Sequence, residues 1–199
     1  MKQYAKRPDI PRPSAEQVEL YLEKWNQLEK CTAQESALNK LFRDMPTNDS
    51  LDVILLKIAT LNEFYFAHVW DILKVAQYIY TLQVEESLDA RLKAGDATLV
   101  DAIAKSGGKV HMFSFATKYC SFHEPEKYPI YDIHVVEMLM YFRDVDEFTE
   151  FEEFKDYSDF KRVVLEMRSY YGLGSFSLKQ IDRYLWQLGK EKFPIEEKV

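Results

Sequence analysis

The stretch LDVILLKIATLNEFY, residues 51–65, constrains the fold more than any other. Its apolar residues fall at nearly every phase of a 3.6-residue turn, so a helix built on it belongs at the centre of a core. Asp49 or Ser50 stands where a cap is needed. No run of strict alternation, no hairpin dipeptide and no internal repeat accompanies it, which leaves other helices to cover it. Ser14 opens an earlier helix in which Val18, Tyr21, Leu22, Trp25 and Leu28 recur at helical spacing. AQESALNKLFRDM follows and stops at Pro46, while AHVWDILKVAQYIYTL reads as a helix that continues the central one. SLDARLKAG and TLVDAIAKSGG read as short helices that end at glycine. MFSFATKYCSFH, DIHVVEMLMYF, SDFKRVVLEMRSYY and SLKQIDRYLWQLGKE complete the series, the last capped by Ser177. The expectation is an all-α chain of about ten helices.

Of the 199 residues 47% are apolar, with 13 Phe, 13 Tyr and 3 Trp, carbon enough to offset the chain entropy that keeps polar sequences disordered. The first thirteen residues hold three prolines and read as an extended arm. Residues 14–199 read as a single all-α domain, with two small helical lobes sharing a cleft as the alternative. No segment reaches eighteen uninterrupted apolar residues, and the N-terminal stretch lacks the apolar core of a secretory signal. A cytoplasmic protein with no membrane partner is expected. Two cysteines, Cys31 and Cys120, are too few for a disulfide framework or an iron–sulfur cluster. Cys120 and His123 supply half of a metal site, no second pair stands at suitable spacing, and so no metal and no cofactor are expected.

The net charge of −7 argues against a nonspecific coat for nucleic acid, because phosphate binding draws on clustered cations. Much of the excess acid lies in DVDEFTEFEEFKDYSDF, residues 144–160, which reads as a solvated loop or helix edge. Lys105, Lys109, Lys118, Lys127, Lys161, Arg162, Arg168, Lys179 and Arg183 leave the second half able to present a basic face.

Lys118 is the residue that calls for explanation. It stands among Phe113, Phe115, Tyr119 and Phe122, and Asp132 follows fourteen residues later, after Tyr-Pro-Ile-Tyr. A lysine on an apolar face either reaches to water along its stem or has its amine perturbed for chemistry. Asn62 interrupts the apolar run of the central helix, where it either meets a ligand or bridges buried backbone groups, and Asp182 and Trp186 are four apart on one face of the last helix, as a pocket pair or as a surface acid and a core ring. Tyr128 and Tyr131 read as packing residues, and His134 as a histidine facing solvent or one that positions a phosphate or a water.

FATKYC, then Pro129-Ile130-Tyr131-Asp132-Ile133-His134-Val135, together with ILLKIATLNEFY and IDRYLW, resemble the helix-hairpin-helix DNA glycosylase superfamily, and within it the archaeal 8-oxoguanine glycosylase branch. The resemblance spans roughly residues 50–190. It implies a helix-hairpin-helix glycosylase fold in which Lys118 is the nucleophile and Asp132 the electrostatic stabiliser and base. It further implies that Asn62 meets the bases and that Asp182 and Trp186 hold the extruded one. The partner implied is double-stranded DNA containing a damaged base, an oxidised purine such as 8-oxoguanine, met by a monomer with glycosylase and AP lyase activity. The chemistry is coherent: once a base leaves the stack, a neutral amine can attack the anomeric carbon and form a Schiff base with the opened sugar. Burial or a helix N-terminus favours that neutral amine, and a nearby carboxylate stabilises positive charge growing on the sugar. Two departures stand out. The Lys118–Asp132 spacing is a few residues shorter than usual, and the Gly-x-Gly hairpin that grips DNA phosphate is replaced by HMFSFATK, with Gly107 and Gly108 far upstream. The alternative in a different class is a catalytically inactive α-helical module of the same fold that binds nucleic acid or protein.

Overall fold

A computed structural model of the chain describes residues 4–108, 111–154 and 156–194. Among the described residues there are ten α-helices and no strand. They are α1 (Ala15–Asn26), α2 (Glu29–Asp44), α3 (Leu51–Tyr65), α4 (Ile72–Glu86), α5 (Leu88–Ala94), α6 (Thr98–Ala104), α7 (Phe113–His123), α8 (Ile133–Asp146), α9 (Tyr157–Tyr170) and α10 (Leu178–Lys192), with one 3-10 turn over Lys105–Gly107. The chain divides into two compact units, one formed by Met1–Glu29 with Tyr131–Val199 and the other by Lys30–Ile130. The second boundary falls inside the Tyr-Pro-Ile-Tyr-Asp run singled out in the sequence.

In the discontinuous unit α10 packs against both α1 and α8. Its start is fixed locally by a capping box, in which the Ser177 hydroxyl accepts from the Gln180 N–H and the Gln180 side chain accepts from the Ser177 N–H. Asp156 and Ser14 cap α9 and α1 in the same manner, each accepting a first-turn N–H. Ile181, Tyr184, Leu185 and Leu188 of α10 are fully buried, as are Met138 and Leu139 of α8. Where the two helices cross, α10 presents Gly189: a Cβ there would lie 2.4 Å from the His134 carbonyl oxygen. The close approach is therefore reserved for glycine, since the obstacle is backbone of a neighbouring helix and cannot rotate away.

The arm before α1 is laid along this unit. Arg7 donates its backbone N–H to the Tyr141 hydroxyl (2.9 Å) and a guanidinium N–H to the Lys192 carbonyl (3.1 Å). Arg12 lies over the rings of Tyr170 and Tyr171 and 3.6 Å from Asp146. The acidic run is largely solvated as expected, with Glu147, Glu150, Glu152, Glu153 and Asp156 exposed between α8 and α9, and Asp144 is the exception. Asp144 is buried beside Arg143 at 2.7 Å and accepts the Tyr4 backbone N–H at 2.9 Å, and Tyr157 and Phe160 are fully buried. The aromatic residues interleaved with the acids carry the packing, which charge counting alone does not register.

In the continuous unit α3 packs on α4 and α7, and α7 packs on α6. Ile54, Lys57, Ile58 and Leu61 form its buried face, while Leu56 on the opposite side remains 45% exposed, so the helix is central without being enclosed. The helix expected over 67–82 begins instead at Ile72, capped by Asp71, whose carboxylate accepts the Lys74 N–H at 3.0 Å. Residues 66–71 form a turn in which Phe66 and His68 both take the left-handed conformation (φ 47° and 53°). Asn62 supplies the reason, because its side-chain oxygen accepts the Val69 N–H (2.8 Å) and its side-chain amide donates to the Val69 carbonyl (3.3 Å). An asparagine that satisfies both backbone groups of a residue seven positions on competes with helix continuation and wins.

Replacing Gly189 by alanine drives a methyl group into the α8 backbone. The Gly189→Ala variant should lose about 1–3 kcal/mol of stability, the usual penalty of overpacking. Thermal or urea unfolding measures it, and an unchanged midpoint would show that α8 and α10 do not approach as described.

Candidate functional site

Lys118 sits in the middle of α7, one turn after Ser114, and is 5% exposed. A helical side chain leans toward the N-terminus of its helix, so the amine reaches back and donates to the Ser114 hydroxyl. The Tyr65 ring at the end of α3 flanks it with its centroid 5.4 Å away. Phe115 and Tyr119 on the same helix are buried and close the apolar surroundings that the sequence pattern anticipates. Lys118 thus retains little water, which is the condition an amine nucleophile requires.

Asn62 lies one turn before Tyr65 on α3, half-buried, with its amide engaged by Val69 as described. The turn that it closes holds Trp70 90% exposed.

The remaining candidates belong to the other unit. Asp132 is the N-cap of α8, its carboxylate accepting the His134 N–H at 3.1 Å. Asp182 and Trp186 are both half-buried on α10. Trp186 meets Trp25 edge to face (5.9 Å, 80°), and the Lys190 amine lies 4.9 Å from its ring centre. His134 stands edge-on to Trp186 at 6.4 Å, and its Nδ1 is buried without a hydrogen-bond partner among the described residues. His134 is therefore only partly turned to solvent, its ring edge lying against Trp186 between α8 and α10. Within this unit the start of α8, carrying Asp132, is brought beside Trp186 through His134. Lys118 belongs to the Lys30–Ile130 unit and Asp132 to its counterpart.

Several cations of the expected basic face are engaged inside the fold. Arg162 pairs with Asp159 (2.6 Å) and Glu166 (2.8 Å), Lys127 with Glu124 (3.0 Å), and Arg168 donates to the carbonyls of Leu173 and Gly174. Lys109 lies outside the described residues. An open groove of about 440 Å³ along α9 is lined by Ser158, Lys161, Arg162, Leu165, Glu166 and Ser169 and contains none of the candidate residues.

One cluster escaped the sequence reading. Lys57, wholly buried on α3, donates to the Thr47 carbonyl (2.7 Å) and the Asn48 side-chain oxygen (3.1 Å), with His123 Nε2 at 3.4 Å. The Asn48 oxygen also accepts from the Tyr119 hydroxyl, and the Asn48 amide donates to Asp89, both at 2.5 Å. Burial brings the Lys57 amine down to about 8, against the opposing pull of Asp89 and Asp49. Burial, reinforced by the Lys57 charge, holds the His123 imidazole well below its ordinary range, so that ring stays neutral. Cys120, half of the metal pair considered from sequence, is buried and its thiol is pushed up by the loss of water. The signal for Lys57 was present in the sequence, since it shares the helical phase of Ile54, Ile58 and Leu61.

Because the folded amine titrates near 8 and an unfolded one near 10.5, the stability linked to Lys57 is absent below about pH 8 and is gained as pH rises toward 10.5. The difference in unfolding free energy between wild type and Lys57→Met should therefore shift in favour of wild type from pH 8 to 9.5, short of tyrosine ionisation. A difference independent of pH would mean that Lys57 is solvated.

No solved structure matches the chain. A Haemophilus influenzae protein described as uncharacterized is 39% identical over 149 residues, which cover 72% of this chain and 70% of that protein. The family model HI_0787_N, described as an N-terminal domain, matches residues 17–127. On both grounds the chain belongs to the HI_0787_N family.

Proposed function

We propose that the protein is a monomeric DNA base-excision glycosylase of the helix-hairpin-helix type, with AP lyase activity on an oxidised purine such as 8-oxoguanine. The observation that carries this reading is the nearly dry Lys118 amine on α7, lodged among aromatic residues beside Ser114 and Tyr65. A lysine costs free energy to bury, and an amine kept from water serves as a nucleophile toward an electrophilic sugar carbon. Asp132 stabilises charge on the sugar, and Asp182 and Trp186 hold the displaced base. Asn62 contributes by holding the turn that carries Trp70. The partner is double-stranded DNA containing a damaged base.

A second reading, a catalytically inactive helical binding module of the same fold, is favoured by a different observation. The Gly-x-Gly hairpin is missing, and Arg162, Arg168 and Lys127 are turned to partners within the fold, which weakens the grip on phosphate.

Borohydride reduction separates the two. Wild type should become covalently joined to a duplex carrying an oxidised purine or an abasic site, and Lys118→Ala should abolish the adduct. If wild type yields no adduct with any such duplex, the enzyme reading fails and the binding module stands. Trp186→Ala should weaken binding to a lesion-bearing duplex by about 1–3 kcal/mol, the value of one aromatic stacking platform. Loss of the unfolding transition in that variant would instead assign Trp186 to the joint of α1, α8 and α10.

A further inference from the structure

We infer that the outer face of α4 is a self-association surface, on which a second copy of this chain docks its own α4 antiparallel about a two-fold axis. Pairing is independent of the reading of Lys118 as the nucleophile.

α4 is apolar on two sides. Val75, Ala76, Ile79 and Leu82 are buried in the core of the continuous unit. On the other side Leu73, Tyr80 and Val84 are 50%, 38% and 67% exposed. Gln77 is exposed between them, and Trp70 continues the row into the preceding turn. The steps from 70 to 73, 77, 80 and 84 are three, four, three and four, the spacing that lays one seam along a helix for a second helix to fill. The outward face of a surface helix ordinarily carries charged and polar side chains, so an exposed seam of this kind calls for an occupant.

The seam is complementary to itself. Two antiparallel α4 helices place Leu73 against Val84 of the second copy and Gln77 against its Tyr80, and the two-fold axis repeats both contacts. Apolar side chains thus meet apolar ones, and the Gln77 amide meets a hydroxyl that both donates and accepts. The side chains of Gln77, Tyr80, Lys74 and Glu85 have no hydrogen-bond or ion-pair partner among the described residues, so each is available to the second copy. Charge sets the direction of the pair. Lys74 flanks the seam at the start of α4 and Glu85 lies on the same flank at its end, both exposed. Helical side chains lean toward the N-terminus of their own helix, so in the antiparallel pair Lys74 of one copy and Glu85 of the other lean toward each other. A parallel pair would bring both Lys74 residues to one level and both Glu85 residues to another. Of the other acids at the two ends, Asp71 caps α4 and Glu86 pairs with Arg91. A seam of this length buries less than about 1,200 Å² in total, the range of weak contacts, so pairs and single chains exchange. The single chain remains the form that meets DNA at low concentration.

The experiment is sedimentation velocity of the full chain over a concentration series reaching about 0.3 mM, where weak interfaces of this size populate. A thiol reductant is present so that the free Cys31 cannot link two copies. The mean mass should climb from that of one chain toward that of two as concentration rises. Leu73→Glu, which sets a carboxylate in the seam, should weaken association by about tenfold or more. Lys74→Glu and Glu85→Lys each oppose like charges at both ends of the pair and should each weaken it by about tenfold. The double variant Lys74→Glu/Glu85→Lys exchanges the two charges and should return association to near wild type. Because all three positions are exposed, thermal unfolding of each variant at low concentration should match wild type. A mass of one chain at every concentration overturns the self-association and leaves the seam to a helix of another protein. Association that Leu73→Glu leaves unchanged, or a double variant as weak as the single ones, overturns the antiparallel α4 pair. Each of these results leaves borohydride trapping at Lys118 unaffected.

Discussion

The cost of removing a lysine amine from water shapes the continuous unit of this protein. Among its described residues two such amines are buried. Lys57 and Lys118 lie on α3 and α7, helices that pack on each other, and both are buried. The handling of the two differs. Lys57 donates to a backbone carbonyl and to an asparagine oxygen and approaches a neutral imidazole, which is how a fold satisfies a buried cation for structural purposes. Lys118 donates to a half-buried serine hydroxyl and faces a tyrosine ring. The first environment anchors the segment before α3 to its core. The second leaves a buried amine between a hydroxyl and a ring face, and the proposed chemistry starts from that placement.

The discontinuous unit is organised by a different constraint, the close approach of α8 and α10 at Gly189. That approach brings His134 against Trp186 and sets the start of α8, with its Asp132 cap, beside the face of α10 that carries Asp182 and Trp186. The N-terminal arm closes over the same unit through Arg7 and Arg12, and the buried Asp144 gives it an anchor at Tyr4. A carboxylate in an acidic run becomes an interior ligand because an arginine stands next to it in the chain and an amide reaches it from the arm.

Much of the helical framework was legible because it is written in local chemistry. Ser14 and Ser177 carry their caps, Pro46 stops α2, and the apolar content of 51–65 marks α3 as a core helix without showing which face turns inward. The turn at 66–71 was legible only in that Asn62 could bridge backbone groups; where it reaches, Val69, lies across a segment whose composition suits a helix. His134 is half-buried for a related reason, since Trp186 and Gly189, distant in sequence, cover part of it.

The sequence by itself determined that the chain is helical, where most of its helices begin and end, and that Lys118 belongs to an apolar surface. Those properties follow from periodicity, capping and composition, which act over a few residues. Only the tertiary structure decided that Asn62 is committed to a turn and that the Lys118 amine meets Tyr65 of another helix. It also decided that Lys57, which looks like one more helical lysine, is the centre of a buried polar network. Each of these depends on where a side chain ends in space, a matter of which helices pack together and at what distance, and no local pattern encodes it.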